Sequence, residues 1–336
     1  MRKKIILIVT DNLPDQINGV VTTFKNIETH ASNNGYDIVY IDPRQFRYCS
    51  APGYPEVKLS WPKNIGRLIK DSNADYIHIA TEGPIGLAAN LWCWKHGYKF
   101  NSSYHTNFPE FIKKLYHIPE WMTYCYVRWF HNHSGKVLTT TQTMVDKLQA
   151  HRFKSNIIPW TRGVDRDKLK PSKPWSHVNF PPIVLYVGRV SKEKNLDALC
   201  ELQDFYSINI VGDGPDRGRL AKLYPNVHFL GYKSGSALAD CYAQADVFAF
   251  PSKSDTFGIV IIEALSLGTP VAGYLVPGPI DIIEHGVTGF MGDHLKNSID
   301  QCLMLNRAIV KKSSGKWTWE NAWEIFRDNL VDKHII

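Results

Sequence analysis

Short apolar runs that stop abruptly at polar, glycine-bearing loops recur along the chain, and most are followed by apolar positions at helical spacing. Residues 4–27, KIILIVTDNLPDQINGVVTTFKNI, predict a strand, a polar loop holding Gly19, and a helix beginning near Val20 or Val21. The stretches 74–90 and 100–111 each predict a strand ending in a polar cluster. In the second half, Ile183 to Val187 predicts a strand that runs into Gly188, Arg189 and a basic turn, with a helix from Asn195. INIV before Gly212, Asp213, Gly214 and Pro215 predicts another strand, and VFAF before Pro251 a buried one. Ile259 to Leu267 has the apolar density of a helix packed on a sheet, and residues 317–330 read as an amphipathic helix. Strands alternating with helices in both halves place the chain in the α/β class, as two units built on parallel sheets. The proline-rich segment 171–182 is the natural boundary, giving domains at 1–170 and 171–316 and a closing helix within 317–336.

A length of 336 residues with 44% hydrophobic content suits two domains with cores of their own. The six cysteines are scattered without paired spacing, which predicts reduced thiols and a cytoplasmic setting rather than a disulfide framework. Polar residues from Thr10 onward follow the first apolar run too soon for a signal peptide, and no apolar run approaches the roughly 18 residues of a membrane span. Charge is uneven: residues 1–170 hold 23 Lys and Arg against 14 Asp and Glu, whereas residues 171–336 hold 16 against 18. The basic first half is a solvated face or a surface for an anionic membrane or acidic glycan; no nucleic-acid-binding module is recognisable.

The densest chemistry lies in residues 250–271, FPSKSDTFGIVIIEALSLGTPV, where Asp255 and Glu263 stand eight positions apart around a glycine turn. With Ser254 and Asp255 as capping residues, the amides of Thr256, Phe257, Gly258 and Ile259 open at a helix N-terminus, a place that binds phosphate. Glu263, about two turns into that helix, is suited to accept hydrogen bonds from a diol such as ribose. The loop after Val187 brings Arg189 and Lys194, and the turn at Gly212 forms a further wall of the same crevice.

This segment resembles the acidic signature of the retaining GT-B glycosyltransferases, in which two glutamates are separated by seven residues; here Asp255 stands at the first. The resemblance runs from residue 4 to about residue 330 and is greatest to the branch containing mannosyl- and sulfoquinovosyl-transferases that act on glycolipids. It implies two Rossmann-like domains facing a central cleft, with the last helix crossing back to the first domain. In residue terms it implies that Arg189 and Lys194 clamp the donor diphosphate, that Glu263 takes the ribose, and that Asp255 with the 257–259 amides takes the sugar. His105, within SYHTNFP, is implied to lie beside the donor sugar, and the loop bearing Gly19 to approach the diphosphate and the acceptor. Most members carry two glycines where this chain has Asn18 and Gly19.

The implied reaction moves a hexose from a UDP- or GDP-sugar to a hydroxyl of a lipid or glycan acceptor with retention, by same-face attack in which the leaving phosphate takes the acceptor's proton. The donor is a substrate, and no cofactor is implied. The D-x-D pair Asp165 and Asp167 follows Gly163 and reads as a cap rather than a metal site, while His131 and His133 lack a third ligand at suitable spacing, so a metal-independent enzyme is expected. A catalytically silent nucleotide-sugar or glycan-binding protein on the same scaffold is the alternative. A nicotinamide enzyme is disfavoured because the first loop lacks G-x-G-x-x-G. Finally, 108–130 mixes Phe108, Phe111, Leu115, Trp121, Tyr124, Tyr126, Trp129 and Phe130 with Lys113, Lys114 and Arg128. That mix suits either an inward-packed core helix or a peripheral contact with a membrane headgroup layer.

Overall fold

A computed structural model describes residues 2–333 except 17, 52, 53, 174, 176, 177 and 254, with the side chains of 54–57, 111, 114 and 115 also outside the description. The expected cap at Ser254 and the membrane-facing roles of Phe111, Lys114 and Leu115 therefore lie outside the described residues. The chain forms two compact units, one comprising Met1–Arg162 with Trp319–Ile336 and the other Gly163–Thr318.

In chain order the first unit holds β1 (Lys4–Val9), α1 (Gly19–Asn33), β2 (Tyr36–Ile41), β3 (Arg47–Ala51), β4 (Tyr54–Trp61), α2 (Ile65–Asp71), β5 (Tyr76–Ile79), α3 (Pro84–His96), β6 (Asn101–Tyr104), α4 (Phe108–Tyr116), α5 (Glu120–His131), β7 (Lys136–Thr139), α6 (Gln142–Ala150) and β8 (Asn156–Pro159). Six of the strands make a parallel sheet in the order β2-β1-β5-β6-β7-β8, and β3 and β4 pair apart from it as an antiparallel hairpin. Alternation along β1 explains the two-sided core: Ile6 and Ile8 pack with α1, whereas Leu7 and Val9 pack on the opposite face with Ile65, Ile85 and Phe130.

The second unit holds β9 (Ile183–Val187), α7 (Asp197–Cys200), β10 (Ser207–Val211), α8 (Arg217–Leu223), β11 (His228–Gly231), α9 (Gly235–Gln244), β12 (Val247–Phe250), α10 (Ile259–Ser266), β13 (Val271–Gly273), α11 (Pro279–Ile282), β14 (Gly289–Met291), α12 (Leu295–Cys302) and α13 (Arg307–Ser313). Its six parallel strands run β11-β10-β9-β12-β13-β14. Counted within the unit, that order is 3-2-1-4-5-6, the doubly wound pattern whose direction reverses between β9 and β12. Two apolar layers cover it, Leu185, Val187 and Phe248 facing α9 and α10, and Val184, Tyr186 and Val247 facing α7, α8 and α12.

The division between the units falls at Arg162 and Gly163, ahead of the boundary expected at 170. Val164 and Leu169 are the reason, because both are buried in the second unit's core. The segment before β9 is also tied to that unit. Buried Asp246 accepts hydrogen bonds from Trp175 Nε1 (3.1 Å), the Asn179 amide (3.2 Å) and the Ile183 amide (2.8 Å), so these three residues are tied to the second unit.

The closing helix α14 (Trp319–Asp328) buries Trp319, Ala322, Trp323 and Phe326 in the first unit's core beside α1. Trp160, fully buried, donates from Nε1 to the Ala322 carbonyl at 2.8 Å and stacks on Phe326 with ring centroids 5.1 Å apart. Phe326→Ala should therefore lower the stability of the first unit by about 3–5 kcal/mol through lost burial and a residual cavity. Chemical denaturation followed by tryptophan fluorescence measures this, and an effect below about 1 kcal/mol would refute that packing role.

Candidate active site

Glycine governs the backbone at the second unit's reversal point. A Cβ on residue 212 would lie 1.9 Å from the Gly188 carbonyl oxygen, and one on residue 214 would lie 2.3 Å from the Val190 carbonyl oxygen. Only glycine permits the loops after β9 and β10 to approach this closely. Amide-to-carbonyl bonds then zip them together, from Gly188 to Val211 (3.0 Å), Val190 to Asp213 (2.9 Å) and Asp216 to Val190 (3.1 Å). Gly212 acts first as a packing residue that sets the course of the loop bearing Arg189.

Beyond Arg189, whose side chain is exposed, the chain makes a short 3-10 turn at Lys192–Lys194, and Asn195 adopts the left-handed conformation at φ 55°. A helix from Asn195 was expected; it begins at Asp197, because that left-handed residue ends the turn. The turn carries Lys194 across the reversal point, where its Nζ lies 2.7 Å from Asp255 Oδ2. Asn195 Nδ2 donates to the Pro251 carbonyl at 3.1 Å, so two contacts join the loops after β9 and β12.

Asp255 does not cap α10. Its Oδ1 accepts the amide of its neighbour Thr256 at 3.0 Å, while the cap position belongs to Gly258 at φ 92°. Phe257 is buried in the core and meets Trp317 edge-on with centroids 5.7 Å apart, which anchors the loop just before the opening of α10. Glu263 then lies a little over one turn into α10 rather than two, since the helix opens only at Ile259. Its Oε2 accepts a hydrogen bond from Tyr242 of α9 at 2.8 Å, and burial pushes the carboxyl up to about 7 despite that bond.

In the first unit the strand order reverses between β1 and β5. There Asp11, just after β1, accepts from Thr81 Oγ1 (2.7 Å), the Ile85 amide (2.8 Å) and the Gly86 amide (3.3 Å), thereby capping α3. Its burial pushes the carboxyl up to about 6. Helix α1 starts at Gly19, earlier than expected, because Asn18 caps it by accepting the Val21 amide at 2.9 Å. Asn18 thus caps the helix with a side-chain oxygen, which a glycine would lack. Beside it a cavity of about 80 Å³ is bounded by Thr10, Asn12, Val20, Phe24, Tyr40 and Asp42.

His105 directly follows β6, and its Nδ1 lies 2.9 Å from Nη2 of buried Arg162. Arg162 beside His105, Tyr242 beside Glu263 and Asp11 at the first reversal point are not legible in the sequence, because no local spacing announces contacts across 57, 21 and 74 residues. His131 belongs to an internal network instead of a metal pair, its Nδ1 2.7 Å from Ser102 Oγ and its Nε2 3.1 Å from Glu82 Oε1. Asp165 accepts the Lys168 amide at 3.1 Å and pairs with the Lys168 ammonium, closing a turn. Among the described residues there is no group of three or more His, Cys, Asp or Glu suited to a metal ion, and no helix long and apolar enough to cross a membrane.

Comparison with known proteins adds the family. Residues 17–168 match the model for Glycosyltransferase Family 4, and residues 167–303 that for Glycosyl transferases group 1. The chain is 28% identical over 317 residues to a GDP-mannose-dependent alpha-mannosyltransferase of Corynebacterium glutamicum, covering 86% of this chain and 76% of that protein. It is 26% identical over 345 residues to the sulfoquinovosyl transferase SQD2 of Arabidopsis thaliana, covering 92% and 67%. Among solved structures, sucrose-phosphate synthase from Thermosynechococcus elongatus superposes with a TM-score of 0.68 at 17% identity, covering 97% of this chain and 94% of that one. Anabaena HepE in complex with UDP superposes with a TM-score of 0.70 at 16% identity, covering 97% and 98%. With the family 4 model matched by the first part of the chain, the group 1 model by the second, and both units built on parallel sheets, the chain is a glycosyltransferase with the GT-B fold.

Proposed function

We propose that the protein transfers a hexose from a UDP- or GDP-linked donor to a hydroxyl of a lipid or glycan acceptor, with retention of anomeric configuration. The observation that carries this reading is the second unit's reversal point, where Arg189 and Lys194 share one edge with Asp255 and the start of α10. The GDP-mannose-dependent mannosyltransferase relative supports the donor class.

Each residue has a chemical task. Arg189 and Lys194 hold the diphosphate, whose negative charge grows as the glycosidic bond breaks, so they favour the transition state over the bound donor. They supply the neutralising charge, and we assign neither a cofactor nor a metal ion to the reaction. Glu263 accepts from the ribose hydroxyls. Asp255 and the backbone amides of Phe257, Gly258 and Ile259 take the hexose, Gly212 walls the nucleotide side, and the backbone at Gly19 approaches the diphosphate. His105 is assigned to the reacting hexose. The acceptor oxygen bonds to the anomeric carbon as the bond from that carbon to the phosphate oxygen breaks, and the acceptor's proton passes to the departing phosphate. Asp255 is not assigned as a nucleophile, because both its oxygens are engaged, one by Lys194 and the other by the Thr256 amide.

A lipid acceptor at the cytoplasmic face of a membrane is supported by an outward apolar face on the first unit. Helix α5 turns Tyr124, Val127 and Phe130 inward, yet it exposes Trp121, Met122, Cys125 and Trp129, with Trp121 68% exposed. His133 continues the face by meeting Trp129 edge-on at 4.8 Å and stacking on Trp94 of α3 at 5.6 Å. Trp94, 64% exposed, has Leu91 and Lys95 exposed beside it on the same helix. Indoles next to cations in a unit of basic balance fit an anionic headgroup layer.

Replacing Arg189 or Lys194 by Ala should reduce kcat by about two orders of magnitude or more while circular dichroism stays unchanged. Near-normal turnover in both variants would remove the diphosphate assignment. Nucleotide affinity should also depend on pH. Ribose hydroxyls bond best to a charged carboxylate, so with Glu263 titrating at about 7 in the free protein, affinity should hold above about pH 8 and fall towards tenfold per unit below about pH 7. Calorimetric titration with UDP and GDP measures this, and Glu263→Gln should flatten the profile at a lower affinity. A third expectation concerns the apolar face: co-sedimentation with phosphatidylglycerol vesicles should weaken with salt and drop at least about tenfold in Trp121→Ser with Trp129→Ser. Equal partitioning of wild type and variant would send the acceptor assignment back to a soluble glycan.

A further inference from the structure

The contact between Arg162 and His105 can have only one polarity. A guanidinium offers N–H donors and no acceptor, so at 2.9 Å Arg162 Nη2 donates and His105 Nδ1 accepts. Nδ1 then holds a lone pair, and the hydrogen of the neutral ring sits on Nε2. We propose that Arg162 is a positioning residue that locks His105 as the neutral Nε2–H tautomer, making it a hydrogen-bond donor to a substrate hydroxyl oxygen instead of a base. The proposal rests on the assignment of His105 to the reacting hexose.

The lock is rigid at both ends. Arg162 is only 3% exposed, and its Nη1 donates to the carbonyls of Trp160 (2.7 Å) and Thr161 (2.9 Å) while its guanidinium carbon lies 4.4 Å from the centre of the Trp160 ring. Trp160 is itself fixed by its bond to Ala322. The imidazole meets Phe24 edge-on at 5.9 Å and packs against Trp160 at 5.8 Å, which restricts rotation of the ring.

Electrostatics act in the same direction. Burial is the largest influence on His105, followed by Arg162 from the segment after β8, His78 on β5 and His131 on α5, and each of these opposes a second proton on the ring. The group therefore stays well below the usual histidine range. Arg162 is pulled down by burial to about 9, and it remains cationic at neutral pH. A ring held in this way presents a fixed N–H dipole over the working pH range and leaves the acceptor's proton to the leaving phosphate.

The test is nitrogen-15 NMR of the full chain labelled at histidine, with His105→Gln identifying the resonance. Wild type should show an unprotonated Nδ1 and a protonated Nε2 for His105, unchanged between about pH 5.5 and 8.5. Arg162→Met should give a mixture of tautomers, or a ring that titrates within that range, and lower kcat by about ten- to a hundredfold with the donor KM within about threefold. A wild-type His105 with its hydrogen on Nδ1, or one that titrates normally, would overturn the proposal. So would an identical spectrum in Arg162→Met. Should Arg162→Met fail to fold, the wild-type spectrum still decides the tautomer. If the spectrum is as expected but His105→Gln keeps full turnover, the lock stands and the placing of His105 at the hexose falls.

Discussion

The Gly188 carbonyl oxygen occupies space that a side chain at residue 212 would need, and the course of the second unit's loops depends on this one steric fact. Because the loops after β9 and β10 lie backbone to backbone, the chain carrying Arg189 has little freedom to drift. Binding an anion on a loose loop would first have to order the loop, at roughly 1–2 kcal/mol per residue fixed. Here that ordering is already done by folding, and Arg189 and Lys194 are presented by a preformed frame.

Both units join the loops at their reversal points through a carboxylate, with different consequences. In the first, Asp11 is surrounded by donors from one loop and one helix start, a closed arrangement that serves the fold. In the second, Asp255 pairs with a part-exposed lysine whose ammonium keeps capacity for further acceptors. The closed pair is a structural rivet, whereas the open one leaves a cation available to a ligand.

Much of this was legible in the sequence, and what was not was hidden for two reasons. The runs IVLYV and VFAF declare buried strands, and the glycines after them declare turns, because apolar density and glycine act locally. The order of the acidic pair and the basic turn along the chain was equally readable. Strand β6 was expected within 100–111, but its burial was not legible, since Asn101, Ser102, Ser103 and Tyr104 are polar or amphipathic and yet fully buried. Its first three side chains are satisfied from afar: Asn101 bonds the Asn329 carbonyl at 2.6 Å, Ser102 bonds His131, and Ser103 lies 2.6 Å from His78 Nε2. Arg162 is similar, an arginine in a short polar string that only the folded chain brings to His105. The late opening of α10 was hidden for another reason, because the left-handed turn at Gly258 sets the helix start and not the nearby capping residues. Glu263 consequently sits nearer the helix opening than its spacing suggested.

The indoles that α3 and α5 turn outward have a bearing on how the protein behaves as a colloid. Two copies meeting through such a face would bury apolar surface at a gain of about 25 cal/mol per Å², which invites self-association. The first unit, residues 1–162 with 319–336, holds 22 Lys and Arg against 16 Asp and Glu, a net charge of +6, so copies approaching through it repel one another over a Debye length of about 8–10 Å at physiological salt. That repulsion weakens as ionic strength rises, and the apolar attraction does not. The unevenness of charge between the halves therefore has a second meaning: it keeps an otherwise adhesive surface dispersed in dilute electrolyte, with concentrated salt as the condition under which the protein would precipitate first.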